Sequence, residues 1–211
     1  MLIVMEGHRR EAITELGDAL RALIESATTT EVPAGDLLRA AAGIRDVTEL
    51  LGGRVRGHAT LPRADDLRGG VRMYNPVTGP GSALAPPLHV EVAGGAATGR
   101  CTLGMAYEGP PLFAHGGVSA MLLDQILGHA VGASGRPGMT VRLDTSYHAP
   151  VPLLTPLRLT AEVRDVAGRR VTATGAITTA ADPGAPLVTA TGTFVGLRAD
   201  QTRRLFGAVL P

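Results

Sequence analysis

One stretch constrains this chain more than any other. It runs from Tyr107 to Val131 and reads YEGPPLFAHGGVSAMLLDQILGHAV. Its beginning cannot be helical, because Pro110 and Pro111 lack backbone donors and push the residues before them out of the α region. After His115, Gly116 and Gly117 an apolar run with helical spacing begins, carrying Val118, Met121, Leu122, Ile126 and Ala130. One acid, Asp124, sits in the middle of it. A carboxylate among Leu122, Leu123, Ile126 and Leu127 is costly to bury unless it is paired or used. The stretch therefore reads as a buried helix that carries a site and is entered through a glycine turn.

The flanking sequence says what such a helix packs against. From Leu88 the pattern changes to a period of two, with Leu88, Val90 and Val92 alternating with His89, Glu91 and Ala93. Gly94-Gly95 supplies a tight turn, and a second strand is expected from Thr98 to Ala106. Four strands are expected beyond the helix, over Met139–His148, Leu157–Val166, Arg170–Thr179 and Leu187–Leu197. Ala167-Gly168 and Asp182-Pro183-Gly184 form the turns between the last three, which should pair antiparallel. One apolar helix among antiparallel strands buries itself only by lying on the sheet, which gives an α+β architecture. Aromatics make up 3% of the chain and Trp is absent, so the core is aliphatic.

The N-terminal part reads differently. Ile13, Leu16, Leu20, Leu23, Ile24 and Ala27 mark one amphipathic helix, which Thr28–Thr30 and Pro33 end. A second is expected over Asp36–Leu51, with Asp36 as N-cap, Leu37, Ala41, Ile44 and Leu51 on one face and Gly52-Gly53 as the stop. Neither is long enough to be stable alone, so both should pack on something. Gly53–Pro87 is rich in Gly, Pro, Arg and Asp and reads as loop or lid, with one short strand near Val71–Tyr74. The expected division is a helical extension, 1–87, and a core domain, 88–211.

The charge balance excludes some function classes. Twenty basic against nineteen acidic residues give +1, too little for a nucleic-acid or membrane-surface footprint. A single cysteine, Cys101, rules out an internal disulfide framework and Cys-rich metal sites, and a buried hydrophobic role is expected for it. No metal or cofactor is expected. The apolar opening MLIVMEG is short for a secretory signal and no stretch reaches membrane-span length, so a cytoplasmic location is the default expectation.

The run EGPP…HGGVSAMLLDQILGHA, followed by MTVRLDTSYHAPVPL, resembles the hotdog-fold acyl-CoA thioesterases of the phenylacetate-pathway (PaaI-like) branch. The match covers Leu88 to Leu197 and rests on the His-Gly-Gly step, the acid farther along the helix and the Tyr-x-x-Pro-x-Pro strand end in that order. The resemblance implies a curved antiparallel sheet wrapped around the central helix, working as a homodimer or dimer of dimers. It implies hydrolysis of an acyl-CoA thioester, with Asp124 as nucleophile or general base, the Gly117 amide facing the thioester carbonyl, His115 orienting it and Thr140 holding the attacking water. Where family members often carry a base before the strand-end proline, this chain has Ala149. Arg169 and Arg170, at the hairpin after Val166, are then the better candidates for the CoA phosphates, with a solvated turn as the alternative.

The chemistry also stands on the residues. Gly116 and Gly117 open a helix, where backbone N–H groups lack internal partners and the dipole favours negative charge, and glycine lets substrate approach the backbone. Nine positions separate His115 from Asp124, about 13 Å along a helix and on nearly opposite faces. They cannot act on one carbonyl from one chain. They can if two helices of two subunits face each other, so a shared two-fold site is expected. Two other readings stand beside it: a hotdog hydratase or dehydratase using Asp124 with His129, and a non-catalytic acyl-CoA-binding regulatory protein.

Overall fold

The computed structural model describes residues 2–67, 69–86 and 88–207, with the side chains of 2–6 left out. Met1 of the extension, the expected linker end at Pro87 and positions 208–211 of the core domain lie outside the described residues.

The strands β1 (His89–Ala93), β2 (Ala96–Thr102), β3 (Met139–Tyr147), β4 (Pro156–Ala167), β5 (Arg170–Thr179) and β6 (Val188–Val195) form one antiparallel sheet in the order β1-β2-β4-β5-β6-β3. The central helix α3, Gly116–Ala133, lies across all six strands. This is the expected hotdog architecture. Gly94 and Gly95 make the β1–β2 turn with φ of 54° and 82°, a region that favours glycine. The second strand is shorter than expected. It ends at Thr102, and Met105–Tyr107 forms a 3-10 turn instead, because the chain bends towards the proline loop.

Two rows of side chains make the core. On α3, Leu122, Leu123, Ile126, Leu127 and Ala130 are fully buried. Facing them, cross-strand neighbours Leu157, Leu159, Ala161, Ala173, Ile177, Val188, Ala190 and Phe194 point inward with the period of two that a one-sided sheet needs. Cys101 belongs to this cluster, and burial pushes its thiol up to about 12, so it is an inert filler.

The extension differs from its sequence reading at three points. Helix α1, Leu2–Thr29, contains the Ile13–Ala27 stripe and ends where expected, but α2 spans Ala34–Gly52 with Pro33 as N-cap. Asp36 is therefore not the cap. Extended Pro33 sets the helix start, and Asp36 sits in the first turn, where an acid suits the dipole, and pairs with Arg39. Residues 53–86 hold no strand among the described residues. Only an Asp66–Val71 bridge forms where a strand was expected, since the glycines and prolines around it break any ladder. Nor is this segment a loose lid: Ala64 and Met73 pack on Ile13 of α1, and Val77 joins the main core. By contrast, Leu37, Ile44, Val47 and Leu51 of α2 remain about half exposed, and α2 buries no residue within one chain.

A fourth helix, α4 (Ala199–Phe206), was not anticipated. Its signals were present but faint. Asp200 lies in the first turn, Arg203 and Arg204 lie in the last, and Gln201 Oε1 accepts the Arg198 N–H.

Candidate active site

The start of α3 is held by a tight loop. The His115 N–H donates to the Tyr107 carbonyl and the Ala114 N–H to the Val151 carbonyl, each at 2.9 Å. At the loop tip Leu112 has a φ of 73°, a region that costs an L-residue about 1–2 kcal/mol. The Glu108 carboxylate, accepting the Leu112 N–H at 2.8 Å, holds it there. Backbone strain of this kind concentrates at functional loops.

His115 is the N-cap of α3, and its Nδ1 accepts the Gly117 N–H at 3.0 Å. Accepting at Nδ1 places the neutral ring's proton on Nε2, an outward donor on an exposed side chain. The Gly117 amide, expected to face a carbonyl, is thus engaged by its own cap. The Gly116 N–H, one residue earlier, has no acceptor among the described residues, while its carbonyl accepts the Tyr147 hydroxyl at 2.9 Å.

Asp124 lies two turns along the same unbroken helix and is partly exposed. The Thr140 Oγ1–H donates to Asp124 Oδ1 at 2.9 Å. Thr140, which only the family resemblance singled out, is therefore brought to the acid. A β-bulge does this. Leu143 pairs with Gly192 and faces the helix, so simple alternation would turn Thr140 outward. The register shift between Thr140 and Arg142 makes Val141 the extra residue and pairs Thr140 with inward-facing Phe194. Thr140→Val, which keeps the shape and removes the hydroxyl, is expected to lower turnover about tenfold, the worth of one hydrogen bond to a charged group. Unchanged turnover would reduce Thr140 to a strand former.

His129, the possible partner of Asp124 in a hydratase, turns elsewhere. Its Nε2 lies 3.0 Å from Gln125 Nε2, and Gln125 Oε1 accepts from Asn75 Nδ2 at 3.2 Å. Burial pushes His129 below its ordinary value, towards the neutral ring. Five residues on a helix also place the two side chains about 140° apart. His148 bonds Thr189 on the sheet.

Arg169 and Arg170 sit at the β4–β5 hairpin, both exposed. Arg169 Nη1 donates to the Gly196 carbonyl, and Arg136, in the loop after α3, donates to the Gly168 carbonyl at 3.4 Å. Arg136 was not among the expected cations. It lies 32 positions from Gly168 in sequence, and only the fold brings it beside the hairpin. Among the described residues, no group of three or more His, Cys, Asp or Glu side chains could hold a metal, and no helix is long and apolar enough to cross a membrane.

A groove of about 610 Å³ lies on the outer sheet face among Thr98, Thr160, Glu162, Thr174 and Thr191, and Asp124, His115 and the glycines do not line it. What flanks Asp124 is an open helix stripe of Gly117, Met121, Asp124 and Gly128, none of them buried. Beside it is the unpaired edge of β3, with Met139, Val141 and Tyr147 exposed.

A sequence profile described as the thioesterase superfamily matches residues 113–184. The crystal structure of a thioesterase superfamily protein superimposes with a TM-score of 0.77, at 39% identity over 87% of this chain and 94% of that one. Residues 88–211 alone fall well short of that share, so the match takes in much of the helical extension. A hypothetical thioesterase from Streptococcus pneumoniae, solved with coenzyme A, matches at 25% identity over 53% of this chain and 91% of its own, with a TM-score of 0.48. The phenylacetic acid degradation protein PaaI from Thermus thermophilus, solved as a point mutant, matches at 21% identity over 53% and 95%, with a TM-score of 0.49.

Proposed function

Since the chain belongs to the thioesterase superfamily, we propose that it hydrolyses an acyl-CoA thioester to the free acid and the CoA thiol, at a site shared by two copies. The observation that carries this reading is the hydrogen bond from Thr140 to Asp124, the one acid of α3. It holds a carboxylate with one oxygen anchored and the other available for chemistry.

In the simplest course Asp124 takes a proton from water as the water oxygen bonds to the thioester carbon. Charge then develops on the carbonyl oxygen. The open Gly116 N–H and the His115 Nε2–H of the facing copy are the donors for it, and a turn of the His115 ring adds the Gly117 N–H. Collapse of the tetrahedral species breaks the C–S bond, and the proton on Asp124 passes to the thiolate. Direct attack by Asp124, with water resolving the resulting anhydride, uses the same groups.

The helix spacing supports the two-fold arrangement. Midway between Gly117 and Asp124 lie Ala120 and Met121. A two-fold axis there sets the glycine end of each helix against the acid of the other, and the open stripe, with glycine at 117 and 128, allows close approach. Joining two β3 edges would extend the sheet across the same axis. Arg136, Arg169 and Arg170 are the candidate cations for the CoA phosphates. The hydratase reading loses its support because Asp124 and His129 are committed to different partners.

The test is thiol release from a panel of short, long and aromatic acyl-CoA esters. Release from at least one is expected. Stable binding with no release across the panel would instead favour the regulatory, non-catalytic reading.

A further inference from the structure

Helix α1 reaches the active-site loop through Glu25. The 3-10 turn Met105–Tyr107 has free N–H groups at its start and no cap from its own sequence, since Gly104 precedes it. Glu25, near the end of α1, supplies the missing acceptors. Its Oε1 accepts the Met105 N–H at 2.9 Å and its Oε2 the Ala106 N–H at 3.2 Å, across eighty residues of sequence. A methyl group at Gly104 would run into that carboxylate.

The turn is the footing of the catalytic loop. The Tyr107 carbonyl accepts the His115 N–H at 2.9 Å, and the Tyr107 hydroxyl donates to the Leu84 carbonyl at 3.1 Å. Burial, above all, pushes the Tyr107 hydroxyl up to about 12, so it stays a donor. Arg21, one turn before Glu25 on α1, donates to the Pro80 carbonyl at 2.9 Å and the Ser82 carbonyl at 2.7 Å. A continuous chain of contacts therefore runs from α1 through Glu25 and the 3-10 turn to Tyr107, and from Tyr107 to the cap of α3.

We propose, on the hydrolase reading above, that Glu25 is a positioning residue: by clamping the 3-10 turn it sets His115 and the open Gly116 N–H for the thioester carbonyl. Glu25 touches no reacting atom. Its effect falls on donors that matter most once charge develops on the oxygen, so its loss should lower kcat and leave KM nearly unchanged. Two acceptor oxygens are needed for two donors. Glu25→Gln, which keeps one acceptor, should fall between the wild type and Glu25→Ala.

The experiment uses the full chain, with Glu25→Ala, Glu25→Gln, Gly104→Ala and the Gly104→Ala/Glu25→Ala pair. Steady-state kinetics on the best acyl-CoA ester is combined with residue-resolved amide exchange. Glu25→Ala is expected to lower kcat roughly ten- to hundredfold, in line with small misplacements of catalytic groups. The Met105, Ala106 and His115 amides should exchange faster while those of α3 beyond Leu122 keep their protection. Gly104→Ala should do the same by displacing the carboxylate, and the double variant should be no worse than either single one. The proposal fails if Glu25→Ala keeps its kcat, if the two losses multiply, or if faster exchange spreads through α3 and the sheet. A wild type that cleaves no acyl-CoA would overturn the hydrolase reading alone, and the exchange pattern would still decide the Glu25 clamp.

Discussion

Asp124→Asn should leave a folded, assembled protein whose release of thiol from acyl-CoA is about 10²- to 10⁴-fold slower, the range of a lost general base. Asparagine keeps an oxygen at the position that accepts the Thr140 hydroxyl, so the bond between α3 and β3 can survive. It also keeps the side-chain volume between Leu123 and Gln125. What is lost is the negative charge and the ability to take a proton, so both general-base catalysis and direct attack fail together. Stability should stay level or rise slightly, because a partly buried charge is replaced by a neutral amide. A chromogenic thiol assay gives the rate and a thermal melt gives the stability. Turnover within a few-fold of wild type would remove Asp124 from the chemistry. A melt lowered by many degrees would make the residue structural.

The next largest effect is expected from Val141→Lys. Val141 is the extra residue of the β3 bulge, 59% exposed on the open sheet edge. Natural edges are kept from pairing by lysine, so this substitution opposes β3 joining a second β3 without removing any core contact. The variant should run as a single chain in light scattering, keep its helix and strand content, and lose hydrolysis, because in the proposed shared site Gly116 of one copy serves the carbonyl that Asp124 of the other attacks. A single-chain species with near-wild-type turnover would show that one chain holds a complete site. A variant that stays assembled and active would show that copies do not meet along β3.

Much of the fold was legible because it follows from local rules. The period of two from Leu88 to Val92, the glycine turn after it and the hairpin signals between β4, β5 and β6 depend only on neighbouring residues. The same holds for the helical spacing from Val118 to Ala130. The N-terminal extension was less legible, because a segment rich in glycine, proline and charge looks alike whether it is loose or clamped. Whether Met73 and Ala64 are buried depends on Ile13, some fifty or sixty residues away. The error at Asp36 has a similar origin. A good capping residue was present, but Pro33 had already set where the helix starts.

At the site, sequence by itself determined the cast and the axial spacing. An acid in an apolar helix, a His-Gly-Gly step at its start and nine residues between them are fixed by covalent order, and the rise of a helix turns that order into distance. The tertiary structure decided which groups meet. The bulge at Val141 turns Thr140 from the solvent face to Asp124, the cap of His115 takes the Gly117 amide and leaves that of Gly116 open, and Glu25 reaches the turn beneath them. Each of these depends on a register or a long-range approach that no local preference encodes. A one-residue slip reverses the face a strand side chain points to, and a backbone donor is free or engaged only by virtue of what the rest of the chain brings within about 3 Å.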